Sequence, residues 1–324
     1  MTDLRIASLR RTIACVHQFF RRALALSSPL GAAALAAILL PAPAAAQSLG
    51  HLVGGRDTLV NDLLGDGHDR WRSSAYEHSR LYEDSFFGNT TQLRFRAEII
   101  SPWKLSAQPK DRDYANAIGL GMFSMGQSGA LGYRLGGEVL MTGDQTGLRR
   151  LQENLHDLLG RPASDGQIGR NRRRLGDGVH GLVRAEGWTS LGQGTPWEVR
   201  PYVIAQAGYE TSATLGFDLI YGAAAHNRRW VREDTTGTPL IVDSRGAEGV
   251  SLVAGADVTR LHDSIYFPAD SAVQPEKTRR RARLGLIWRR EPFAVFFGQT
   301  WMSKEFVGQA EAQRLGVLSL DLNF

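Results

Sequence analysis

The stretch Leu318-Ser319-Leu320-Asp321-Leu322-Asn323-Phe324 alternates apolar and polar side chains without a break. In an extended chain successive side chains point to opposite faces, so this is a strand with one apolar face and one polar face. Segments of the same kind, each of roughly ten residues, recur back along the chain between polar or Gly-rich breaks. They fall at 52–62, 75–84, 90–101, 113–125, 130–142, 178–190, 197–211, 213–224, 247–260, 279–290, 293–304 and 314–324. Twelve is an even number, which lets an antiparallel sheet close on itself without an edge. The expected fold is all-β: a twelve-stranded antiparallel transmembrane β-barrel with a short helix in an exterior loop.

A last strand stopping on Phe324 resembles the insertion signal of bacterial outer-membrane barrels, although a soluble sandwich could end the same way. The other end of the chain reads as an address. Arg5, Arg10, Arg11, Arg21 and Arg22 form a basic region, Ala23 to Leu40 is largely apolar, and Pro41-Ala42-Pro43-Ala44-Ala45-Ala46 offers a small-residue cleavage site. Residues 1–46 are expected to be a signal peptide, the rival being a membrane anchor, with the barrel spanning 47–324. The only cysteine, Cys15, falls in that leader, so the mature chain has no thiol or disulfide chemistry. The leader holds five of the 38 Lys+Arg and one of the 33 Asp+Glu, leaving 33 bases against 32 acids. The sequence pI of about 9.5 therefore belongs mostly to the leader and gives no argument for nucleic acid.

After the leader no run of 18 apolar residues occurs, so no transmembrane helix is expected. Trp71, Tyr76, Trp103, Tyr114, Trp188, Trp197, Trp288 and Trp301 cluster near strand ends, as interface girdles would, or as ordinary β packing. If odd strands run outward, the loops after the first, third and fifth strands face the exterior. Gly126-Gln127-Ser128-Gly129 and Arg290-Glu291-Pro292 are short, as periplasmic turns should be. The long connections at 143–177, 225–246 and 261–278 are taken as exterior.

Three exterior ends carry polar groups. The first holds Asn61-Asp62, then Asp66, His68, Asp69, Arg70, Ser73 and Ser74. The second holds Ser101-Pro102-Trp103-Lys104, then Lys110-Asp111-Arg112-Asp113-Tyr114. The third holds the helical pattern Leu151-Gln152-Glu153-Asn154-Leu155-His156. At 100° per residue Leu148, Leu151, Leu155 and Leu159 form one stripe, with Gln152 and His156 one turn apart beside it. A neutral imidazole there is a competent general base near neutral pH, oriented by Gln152 or a carboxylate; it could equally be a histidine that only caps or packs. Asn61, Asp62, Asp69 and the Ser73 hydroxyl are hard oxygen donors suited to Ca2+, or else Asn61-Asp62 is an ordinary turn and Asp69-Arg70 an ordinary ion pair. Arginine outnumbers lysine 34 to 4, and the runs Arg172–Arg174 and Arg279–Arg281 could meet phosphates such as those of lipopolysaccharide.

At these residues the chain resembles the outer-membrane lipid A 3′-O-deacylase family. Asn61-Asp62 is similar to the family's Asn-Asp on the first strand, and Asp69-Arg70-Trp71-Arg72-Ser73 to its Asp-Arg-x-Tyr-Thr. Ser101-Pro102 is similar to its Tyr-Thr/Ser-Pro, Asp111-Arg112-Asp113-Tyr114-Ala115 to its Asp-Arg-Pro-Tyr-Ala, and Gln152-x-x-x-His156 to its Gln-x-x-x-His helix. Glu305-Phe306-x-Gly308-Gln309 through Phe324 resembles its closing hairpin. Arg72 and Ala75 depart from the pattern, standing where tyrosine and glycine are usual, and Pro162 stands where an acidic residue follows the helix in a characterised relative.

The resemblance implies a calcium-dependent esterase site on the exterior rim. His156 would activate water, and Asn61, Asp62 and Ser73 would shape the cation and oxyanion region. The family's active-site lysine would be Lys104 or Lys110. The implied substrate is lipid A of lipopolysaccharide in the outer membrane, acted on by a monomer with no nucleic-acid partner. The competing readings are a non-enzymatic barrel, either channel or structural, and an outer-membrane phospholipase, which would need a serine nucleophile beside the histidine.

Overall fold

The computed structural model describes residues 50–68, 70–85, 89–103, 111–158, 174–192, 195–222, 229–242, 247–291 and 293–322. The leader, and with it the expected cleavage, lies outside them. Twelve strands form the closed barrel: β1 (His51–Asn61), β2 (Trp71–Glu83), β3 (Thr90–Ser101), β4 (Ala115–Ser128), β5 (Leu131–Thr142), β6 (Gly178–Thr189), β7 (Trp197–Gly208), β8 (Glu210–Tyr221), β11 (Gly249–Ser264), β12 (Thr278–Arg290), β13 (Phe293–Met302) and β14 (Gln313–Leu322). Each pairs antiparallel with its neighbour, and β1 closes onto β14 from Gly55↔Leu322 to Asn61↔Gly316. Closure leaves no strand edge unpaired, the condition for a sheet to sit in lipid. No helix among the described residues is long and apolar enough to cross a membrane.

The alternation read from the sequence sorts residues onto two walls. On β12, Ala282, Leu284, Leu286 and Trp288 are exposed while Arg283 and Arg289 are buried. Leu120, Met122, Val139, Val183, Val203, Leu215, Phe217 and Phe297 continue the exposed apolar band around the outside.

The lumen is filled, not open. Arg56 meets Glu77 at 2.6 Å, Arg96 meets Glu138 at 2.8 Å and Arg283 meets Asp257 at 2.6 Å. A buried guanidinium is tolerated where carboxylates pair with its charge, and this lumen supplies them, although donors such as Arg56 Nε and Arg134 Nη2 have no hydrogen-bond partner among the described residues.

Two strand starts or ends differ from the sequence reading for the same reason. β2 begins at Trp71, not at 75, and β11 runs on to Ser264, because a register shift interrupts each alternation: between Trp71 and Ser74, and between Leu261 and Asp263. A bulge adds a residue, so strict period two fails across it.

The long connection at 225–246 is a larger correction. It follows β8, so it leaves the barrel at the end that carries the short turns after β4 and β12, not at the rim. Within it β9 (Trp230–Arg232) pairs with β10 (Pro239–Ile241) as a hairpin. This hairpin rises into the lumen. Asp234 in its turn reaches Arg94 of β3 at 2.6 Å and Arg184 of β6 at 2.8 Å, and Arg232 reaches Asp218 of β8 at 2.7 Å. Above it a polar cavity of about 70 Å³ remains, lined among others by Arg184, Thr214, Asp234 and Arg279.

Candidate functional site

The rim end of β1–β4 carries a row of side chains fixed by register. Asn61 lies opposite Ser74, Ser74 opposite Ile99, and Ile99 opposite Asn116. Directly opposed residues share a face. That face is the outer one, because two and four residues beyond Ile118 on β4 it continues as the exposed Leu120 and Met122. Three polar residues therefore stand at the top of the outer wall, where the barrel would meet lipid headgroups; lower on the same face β1 and β2 also carry the pair Asp57 and His78, 2.9 Å apart.

The loop after β1 is a built turn. Asn61 Oδ1 accepts the amide of Leu63 at 2.8 Å, and the Asp62 carbonyl accepts the amides of Gly65, Asp66 and Gly67. The buried Asp62 carboxylate accepts the amide of Arg70 at 2.5 Å. The turn reading of Asn61-Asp62 thus describes the local geometry; Asn61 Oδ1, which accepts one amide there, has lone-pair capacity for a second partner. Arg70 pairs with Asp66 at 3.2 Å and with Glu311, and lies 4.6 Å from the ring centroids of both Trp71 and Trp103. Asp69, proposed as its partner, lies outside the described residues.

At the start of β2, Trp71 holds φ 54, in the left-handed region, and its indole is 1% exposed. A large residue stays there only where packing over-determines it, here edge-on rings of Trp103 and Phe306. The bulge that follows turns Arg72 into the lumen, where it binds Glu305 at 2.8 Å and also Glu98. Arg72 is thus a member of an ion cluster in the lumen, not a group on the outer row. The next residue, Ser73, has a buried hydroxyl without a hydrogen-bond partner among the described residues.

After β5, a short 3-10 turn (Asp144–Thr146) leads into α1 (Leu148–Leu158). Leu148 and Leu151 pack against Ile99 and Ile118 with Phe95 and Ala97, all outer-wall residues. Leu148 and Leu151 of the stripe thus dock on the barrel, while the Leu155 side chain and Leu159 lie outside the described residues. Gln152 is buried at 8% exposure, and its Oε1 accepts the phenol of Tyr114 at 3.0 Å. Burial pushes the Tyr114 phenol above its ordinary range, despite its bond to the Asn116 side chain. The side-chain oxygen of Asn116, Oδ1, is also buried without a partner among the described residues. The helix backbone carries His156 one turn beyond Gln152; its side chain lies outside the described residues, as do Lys104, Lys110, Pro162 and Arg172.

Beneath this outer row, on the lumen side, Glu305 gathers Arg72, Arg112 at 2.8 Å and Arg279 at 3.8 Å. Burial alone would raise its carboxyl, but the three guanidiniums outweigh that and hold it well below the usual carboxylate range. Of the run Arg279–Arg281, the first and last face inward and pair with Glu210 and Asp257, while Arg280 is exposed. Arg279 and Arg281 are thus committed to protein carboxylates and not to lipid phosphates, which leaves Arg280 as the exposed member of the run.

The fold brings Asn61 and Gln152 to one outer-rim region and places Asp62 and Ser73 at its inner edge. Sequence reasoning gave no role to Ser74, Asn116 or Tyr114. The signal that would have found them is the cross-strand register, which one sequence does not carry. As a donor set for calcium, Asn61, Asp62 and Ser73 fit by chemistry: all are hard oxygens, and Ser73 Oγ is buried and unsatisfied. Among the described residues no three His, Cys, Asp or Glu side chains cluster as a metal site, so any cation here would lean on neutral oxygens.

The chain matches the family described as Outer membrane protein LpxR over residues 34–324. No curated protein matches it in sequence. Among solved structures, LpxR from Salmonella typhimurium superposes with a TM-score of 0.69 at 15% identity, covering 84% of this chain and 100% of that one. At that identity the likeness shows the fold. The KdgM porin with oligogalacturonate and the β domain of the Bordetella autotransporter BrkA reach TM-scores of only 0.40 and 0.41, at 8% and 9% identity, each covering 84% of this chain and 99% of theirs.

Proposed function

We propose that this chain, which belongs to the LpxR family of outer-membrane proteins, is a lipid A deacylase that hydrolyses the ester of the 3′-acyloxyacyl chain in the outer leaflet. The observation that carries the reading is the polar row Asn61–Ser74–Asn116 on the outer wall, with α1 docked on the same wall at the rim. A site in the lumen would serve a soluble ligand. A site on the outer face opens sideways to a lipid that never leaves the membrane.

In this reading neutral His156 takes a proton from water, and the hydroxide formed attacks the ester carbonyl carbon. The carbonyl–oxygen ester bond breaks, the acyl group leaves as a carboxylic acid, and the sugar oxygen recovers the proton as a hydroxyl. Gln152 fixes the helix register, and Lys104 or Lys110 would hold the anionic headgroup. Asn61, Asp62 and Ser73 would hold calcium, which when bound supplies Lewis-acid polarisation of the carbonyl. Residues 1–46 would be the cleaved signal peptide, and the barrel would work as a monomer.

A channel is disfavoured by the hairpin that fills the lumen. Mass spectrometry of lipid A from cells expressing the protein, with calcium supplied, tests the proposal. Loss of one acyloxyacyl chain is expected with wild type, and its retention with His156→Ala in a folded barrel. An unchanged acyl pattern with wild type would overturn it.

A further inference from the structure

The loop that bears α1 is tied to the barrel at three points by the segment 114–116. At its entry, the amide of Gly143 donates to the Asn116 carbonyl at 3.2 Å. In the helix, Gln152 accepts the Tyr114 phenol at 3.0 Å. On its return, the amide of Leu175 donates to the Tyr114 carbonyl at 2.9 Å, where Tyr114 and Arg174 form an isolated parallel bridge. One residue thus holds the helix by its side chain and the returning chain by its backbone.

These contacts differ in kind from the leucine packing. Leu148 and Leu151 decide which face of α1 meets the wall, but dispersion and desolvation are non-directional and tolerate sliding or rotation. A hydrogen bond between two buried groups is directional, and losing the phenol would strand the Gln152 oxygen without a donor in a dry environment. Tyr114 is 3% exposed and Gln152 8%, so water does not compete for this bond.

We propose that Tyr114 is a positioning residue: through Gln152 it sets the rotation and height of α1, and so the place of His156 one turn on. This rests on the reading of His156 as the base. The side-chain bonds of Tyr114 go to Gln152 and Asn116, not to the cation donors Asn61, Asp62 and Ser73. A displacement of about 1 Å at a catalytic group can cost about a hundredfold in rate.

The test uses the full-length barrel in detergent with lipid A and calcium. Tyr114→Phe keeps the ring and removes only the hydroxyl. It should lower kcat about 10- to 100-fold while KM stays within about twofold. The double variant Tyr114→Phe/Gln152→Ala should lose no more than Gln152→Ala alone, because one bond is removed twice. In protein labelled with 15N-histidine, Tyr114→Phe should shift the His156 imidazole signals and leave those of His180 and His262 in place.

Wild-type kcat in Tyr114→Phe, multiplicative losses in the double variant, or unmoved His156 signals would each overturn the proposal. If Tyr114→Phe does not fold, Gln152→Ala removes the same bond from the helix side and must move the same signals. If wild type releases no fatty acid, the deacylase reading fails, while the imidazole signals still decide whether Tyr114 positions the helix.

Discussion

Arg94 of β3 and Asp234 of the β9–β10 turn, 140 residues apart in sequence, meet at 2.6 Å in the middle of the barrel. Asp234 also takes Arg184, and Arg94 also takes Glu138 at 2.5 Å. The hairpin is therefore one member of a continuous ion network that crosses the lumen. Asp234→Ala leaves two largely buried guanidiniums short of a carboxylate. It should destabilise the barrel by about 3–5 kcal/mol, read from urea unfolding in lipid by tryptophan fluorescence. A midpoint unchanged from wild type would show that the hairpin is not anchored there.

The same hairpin is expected to keep the barrel from conducting. Wild type should pass little current in a planar bilayer, and replacing residues 230–241 with a short Gly-Ser linker should open ohmic conductance. Gly54→Ala approaches the problem from the wall. A Cβ at Gly54 would lie 2.1 Å from the Val242 carbonyl oxygen, so the segment leaving β10 must move. A leak in that variant, smaller than in the deletion, is the expected order.

Glu305 gives the rim a pH dependence of known sign. Its carboxyl is held below the ordinary range because Arg72, Arg112 and Arg279 outweigh burial, so the charged form is favoured in the folded state. Its contribution is complete above the unfolded value near 4.5 and is lost as pH falls below that toward the depressed folded value. The melting temperature of wild type should fall as pH drops below about 4.5, and Glu305→Gln should melt lower at neutral pH with a shallower acid limb. Parallel acid limbs would assign the loss to other carboxylates.

The outer band predicts a different sensitivity from the lumen. Leu215 is 70% exposed at the middle of β8, on the face the fold turns to lipid. Leu215→Arg should cost about 2–4 kcal/mol in bilayers if it sits at the midplane. The neighbouring Thr214 faces inward and bonds Thr259 at 2.8 Å, so Thr214→Ser should stay near wild type. Equal costs at the two positions would contradict the assigned faces.

The barrel was legible in the sequence because period-two alternation is a local property: Ala282 to Trp288 or Leu318 to Leu322 declare two faces without reference to any other strand. The helix was legible too, since Leu148, Leu151 and Gln152 lie within one window of 3.6-residue periodicity. The limits were also physical. Bulges at Trp71–Ser74 and Leu261–Asp263 break the alternation, so β2 and β11 were read short. Strands of three residues, such as Trp230–Arg232 and Pro239–Ile241, fall below what alternation can signal.

By itself the sequence determined a closed sheet of twelve strands, its apolar outside and the helix carrying Gln152 and His156. Only the tertiary structure decided that 230–241 turns inward, that Arg72 and Arg279 serve the lumen, and that Ser74 and Asn116 join Asn61 on the outer wall. Those facts depend on which residue lies opposite which, and register is set by pairings between distant segments that no single stretch of chain contains.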